Sequence, residues 1–155
     1  MSGVRVPAEI ESLATAAVDA AFAVHRTLGP GILESAYNEC LAIELTARGH
    51  QLAREHSVPL IYRGHTVANA YRADMIIDGR LLLELKAIDA LQPIHRVQLA
   101  TYLRILRLPL GLLINFNVPL IKDGIQRVLN LDFREDRSSS AESASPILAS
   151  SRLRA

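Results

Sequence analysis

The chain has 155 residues, the size of one ordinary domain, and half of them are apolar, enough to bury a core. With 8 glycines and 7 prolines, collagen-like and wholly disordered chains are excluded. A net charge of +1 excludes a surface that coats nucleic acid at large, so any such contact has to use a local patch.

Pro7 precedes residues 8–28, where Ile10, Leu13, Ala17, Ala21, Val24 and Leu28 recur at helical spacing. Gly29, Pro30 and Gly31 end that helix. A second helix is predicted from Leu33 to Arg48, with Gly49 just past its end. It carries Cys40, the single cysteine, read as a small core residue; an internal disulfide is excluded and a reducing compartment fits. The period then changes. Residues 51–62, 66–77 and 80–88 read as three strands, with turns at Arg63-Gly64 and Asp78-Gly79.

Pro93 opens a helix that runs to Leu106, and Pro109 stops the chain from continuing it. Leu110–Phe116 reads as a buried strand and Gln126–Leu131 as a last edge strand. From Arg134 the composition turns to Ser, Ala, Glu and Arg, so residues 134–155 are expected to be a disordered tail beyond a domain spanning 8–132. The order predicts an α/β fold, a mixed sheet with helices against it. No secretory signal is visible, and the apolar stretch Leu108–Ile121 is broken by Pro109, Gly111, Asn115, Asn117 and Pro119. A cytoplasmic protein without membrane contact is expected.

The chemistry concentrates in residues 71–87. On the third strand Leu81, Leu83, Leu85 and Ala87 face one way and Glu84 and Lys86 the other, because strand side chains alternate. A two-residue turn at Asp78-Gly79 would oppose Asp74 to Leu83 and turn it away from Glu84. A three-residue loop, Ile77–Gly79, pairs Asp74 with Leu82 and makes Asp74 and Glu84 diagonal neighbours on the face of Lys86. The same register sets Ala73, Met75 and Ile77 with the leucines. An isolated Glu-x-Lys is ordinarily a weak surface ion pair. Two carboxylates and a lysine amid apolar residues instead suit a hard divalent cation, which would neutralise phosphate charge and acidify a bound water.

The motif Gly31-Ile32-Leu33-Glu34-Ser35-Ala36-Tyr37 resembles the pattern that names the GxxExxY family. Val24–Gly31, Tyr71–Asp74, Glu84–Lys86, Gln98 with Tyr102, and Gly111–Phe116 look like that family too, over about residues 10–132. By resemblance the family belongs to the PD-(D/E)XK nuclease superfamily, near its RecB-like and lambda-exonuclease-like members. The resemblance implies a restriction-endonuclease-like αβββαβ core. It implies Asp74 and Glu84 as ligands of Mg²⁺ or Mn²⁺, completed by the Leu85 backbone carbonyl. It also implies Lys86 as the catalytic lysine, Glu34 as a first-helix acid, and Gln98 and Tyr102 as a Q-x-x-x-Y motif. Ala73 stands where the motif's proline would be.

The residues alone leave other readings open. Glu34 also suits a helix first turn, and Gln98 and Tyr102 also suit an ordinary amphipathic helix. His95 lies one turn before Gln98, as a phosphate contact or a structural histidine. Arg72, Arg96, Arg104 and Arg107 either grip phosphates or form a solvated face. His25, His50, His56 and His65 show no metal spacing, and there is no phosphate loop. The reading is a Mg²⁺-dependent nuclease acting on nucleic acid; the alternative is a non-catalytic binding or regulatory module on the same fold. A second copy of the chain is a further candidate partner.

Overall fold

A computed structural model describes residues 3–136. Most of the expected tail, residues 137–155, lies outside the described residues. Two helices come first, α1 (Ala8–Leu28) and α2 (Glu34–Ala47). Strands β1 (Leu52–Tyr62), β2 (His65–Ile77) and β3 (Leu81–Lys86) follow, then α3 (Pro93–Leu106), β4 (Leu110–Asn115) and β5 (Ile125–Leu129). A short 3-10 turn at Ile121–Gly124, not anticipated from sequence, leads into β5. The five strands form one sheet in chain order. β3 and β4 are parallel, joined by the α3 crossover, and the other pairs are antiparallel. The αβββαβ order is thus present as α2-β1-β2-β3-α3-β4. No described helix is long and apolar enough to cross a membrane.

The sheet is covered on both faces, which is why β3 and β4 read as near-continuous apolar runs. On one face Met75, Ile77, Leu81, Leu83 and Leu85 pack with α1 and α2. On the other, Ile76 and Leu82 pack with Leu99, Tyr102 and Leu103 of α3. Each such buried side chain contributes roughly 1.5–3 kcal/mol, against about 0–1 for an exposed pair such as Arg127–Glu11. The two apolar layers therefore fix the sheet.

Two expectations need correction. The β2–β3 loop is Asp78–Arg80, not Ile77–Gly79: Ile77 pairs with Leu81, Ile76 with Leu82 and Met75 with Leu83. The cause is a distant contact. Asp78 is drawn away by the Gln51 N–H, which donates to Oδ1 at 2.8 Å, and by His50 Nδ1, 2.8 Å from Oδ2. Arg80 N–H donates to the Ile77 carbonyl and closes the turn. Second, Ala73 does not join Met75 and Ile77; it packs in the α3 layer. Facing this stretch, Glu55 takes a positive φ of 49° and lies between the Arg54–Met75 and His56–Ala73 pairs, so the alternation slips there.

Candidate active site

The β2–β3 main-chain pairing ends at Met75–Leu83. One step further along the same register, Asp74 stands across from Glu84, and their side chains take over from the ladder. The Asp74 N–H donates to Glu84 Oε1 at 3.1 Å, and the Leu85 N–H donates to Asp74 Oδ2 at 2.7 Å. The expected diagonal pair is thus a directly facing one; the predicted face was right and the pairing was displaced by two residues.

This exchange places two carboxyl groups together with little water. Glu84 is buried, 7% exposed, on the face that α3 covers. Burial pushes its carboxyl up to about 8, and the Asp74 charge pushes the same way. Asp74 is raised as well, first by burial, against the opposing pull of the Leu85 N–H and the Lys86 charge. Lys86 is half-buried at the end of β3. Its charge is felt by Asp74, Glu84 and Glu34, yet its ammonium forms no ion pair among the described residues.

Glu34 is the first residue of α2 and faces solvent on one side. Its carboxyl is raised by partial desolvation, which outweighs the Lys86 attraction; the Asp74 charge adds to the rise. What brings this helix end to the sheet is Tyr37, fully buried and stacked on Phe116 at 4.6 Å. Its hydroxyl donates to the Gly29 carbonyl at 2.6 Å and accepts the Ile32 N–H at 3.2 Å. Gly31, at φ 93°, donates its N–H to Asn117 Oδ1. In the Gly31–Glu34–Tyr37 motif the glycine and tyrosine thus fasten the loop, and the glutamate alone faces the carboxylates.

On α3, Tyr102 is buried and tilted against Tyr71, ring centroids 4.9 Å apart. Its hydroxyl pKa is raised first by burial and then by the charges of Glu84, Tyr71 and Asp74. Gln98 is one turn earlier and exposed. His95 is a structural residue: its Nδ1 accepts the Gln92 N–H at 2.9 Å and caps the helix. Arg96 is held by Gln126 and by the Arg127 carbonyl.

Sequence reading missed Asn115, buried in β4 opposite Lys86. Its side chain accepts the Ile88 N–H at 3.2 Å and donates to the Ile88 carbonyl at 2.9 Å, pinning the chain just after Lys86. It also accepts the Asn117 N–H. The signal was an amide inside an apolar strand, since a buried amide has to find partners.

The oxygen donors suit a hard divalent cation, and positive charge would relieve the crowding of Asp74 and Glu84. Among the described residues no three His, Cys, Asp or Glu side chains converge on one metal position. A cation here would therefore take the two carboxylates as its side-chain donors, the rest of its shell being main-chain oxygen, water or substrate.

The family model described as the PD-(D/E)XK nuclease superfamily matches residues 11–128. No curated protein and no solved structure matches the chain.

Proposed function

This chain belongs to the PD-(D/E)XK nuclease superfamily, and on that premise we propose that it hydrolyses phosphodiester bonds of nucleic acid with Mg²⁺ or Mn²⁺. The observation that carries the reading is the Asp74–Glu84 exchange beside Lys86, which makes no ion pair among the described residues. We read its Gly31, Glu34 and Tyr37 as the GxxExxY pattern of a family near the RecB-like nucleases, and take residues 8–132 as the nuclease-like domain.

In this reading Asp74 and Glu84 hold the cation. The Leu85 carbonyl contributes from the edge of β3 at which its own N–H reaches Asp74. The bound cation supplies neutralisation of phosphate charge and an acidified water. Lys86 keeps a fixed positive charge at the phosphate and orients the attacking water. Glu34 orients water from the α2 side. The Tyr102 hydroxyl and the exposed Gln98 amide bind a phosphate oxygen from the α3 side.

One observation favours a second reading, a non-catalytic module: no third acidic side chain joins the pair among the described residues. Mn²⁺ titration by calorimetry separates the two. Saturable binding by the wild type that Asp74→Ala abolishes supports the nuclease. Absence of binding by the wild type makes the module the better account.

A further inference from the structure

Of the 13 residues of β2, only Met75, Ile76 and Ile77 pair with β3, while pairing with β1 continues out to Tyr62–His65. Residues 59–70 therefore reach past the sheet as a two-stranded ribbon, from a base where Val58 and Tyr71 pack in the α3 layer. The overhang beyond Tyr71 is roughly 20 Å at strand rise, or about six base pairs of duplex. Arg63 and Gly64 form its tip, with φ of 50° and 79°, the left-handed pair of a tight hairpin turn.

Three features of this ribbon point the same way. Every residue from 61 to 69 is exposed, including Ile61 at 75% and Tyr62 at 67%, so the fold itself gives those side chains nothing to cover. Residues 56–73 hold Arg63 and Arg72 and no Asp or Glu, whereas residues 1–50 hold six acids against three arginines. Neither Arg63 nor Arg72 makes an ion pair among the described residues. Finally, the ribbon grows out of the candidate site: Arg72 is two residues before Asp74, and Tyr71 at its base rests on Tyr102 of α3.

We propose that residues 59–70, with Arg72 at their base, are an arm that lies along double-stranded DNA held at the Asp74–Glu84 site. Arg63 and Arg72 contact phosphates, and Ile61 and Tyr62 lie against the groove wall. A two-stranded ribbon fits the major groove of B-form DNA, while the major groove of duplex RNA is too narrow for side chains to read. A second copy meeting this ribbon tip to tip would set Arg63 against Arg63, whereas phosphates complement it. The inference rests on the nucleic-acid reading above and narrows its substrate to duplex DNA.

The test reads binding rather than cleavage, so the two readings can fail separately. Fluorescence anisotropy of a labelled DNA duplex is followed at rising KCl, in EDTA, for the wild type and for Arg63→Glu/Arg72→Glu. Arg63→Ala, at the exposed tip, serves as a milder variant, and thermal midpoints are compared. The charge-reversed arm is expected to bind at least about tenfold more weakly, with a salt slope smaller by about 2. Arg63→Ala should weaken binding in the same direction. Equal affinity of wild type and variants overturns the inference, as does wild-type binding to single strands but not to duplex. Self-association abolished by Tyr62→Ser, with duplex affinity unchanged, also overturns it. Arm-dependent duplex binding by a wild type that cuts no DNA sustains the arm and removes the nuclease.

Discussion

Asp74 and Glu84 grip one another side chain to main chain: Asp74 N–H donates to Glu84 Oε1, and Asp74 Oδ2 accepts from the residue after Glu84. The carboxylates stay together where the main-chain ladder between their strands has ended. Burial leaves both more easily protonated than usual, and the Asp74 charge adds to the rise at Glu84.

A pH dependence follows. Glu84 titrates near 8 in the folded chain against 4.5 in a model peptide. The folded state thus holds this proton more tightly than the unfolded state. The metal-free protein should lose stability as pH rises between those values, by on the order of 5 kcal/mol at most. A cation takes the proton's place, so the rise in Tm with Mn²⁺ should be larger at about pH 9 than at about pH 6. Glu84→Gln, whose amide oxygen can still accept the Asp74 N–H, should flatten the metal-free curve. Thermal melts across this range check it; stability that climbs with pH would argue against the pair.

Lys86→Ala should lower cleavage by roughly 10²–10³-fold or more, the scale of removing one preorganised charge, while metal affinity is retained. Asp74→Ala should lose both. Single-turnover cleavage and calorimetry on the same preparations check the split.

Tyr37→Phe keeps the stack on Phe116 and removes the hydroxyl that ties Gly29 to Ile32. A loss of about 1–2 kcal/mol in urea unfolding is expected, since two part-buried main-chain groups lose their partner. Cleavage should fall with it, because the loop that places Glu34 is loosened. Glu34→Gln should leave stability unchanged and lower the rate.

Gly124 lies against β4, where an added Cβ would stand 2.1 Å from the Asn115 carbonyl oxygen. Backbone cannot yield as a side chain can. Gly124→Ala should therefore cost about 2 kcal/mol or more, read as a lowered urea midpoint.

How much of this was legible varied with how local its cause is. The bounds of α1 and α3 follow from Pro7, the Gly29–Gly31 stop, Pro93 and Pro109, and they stand as read. Strand alternation correctly set Asp74, Glu84 and Lys86 on one face of the sheet. The loop register was missed because His50 and Gln51 pull Asp78 across the fold, a contact no local pattern announces. Ala73 was misplaced because the alternation slips beside Glu55. His95 and Arg96 looked available to a substrate until the cap at Gln92 and the Gln126 contact were visible. Asn115 was legible only as an oddity, since its partner at Ile88 is 27 residues away.

The most direct measurement is cleavage of labelled duplex and single-stranded DNA and RNA by the wild type and by Lys86→Ala, purified identically, in Mg²⁺, Mn²⁺ or EDTA. The account predicts cutting of duplex DNA that needs the cation and disappears in the variant. Equal cutting by both proteins, or cutting undiminished by EDTA, would contradict it.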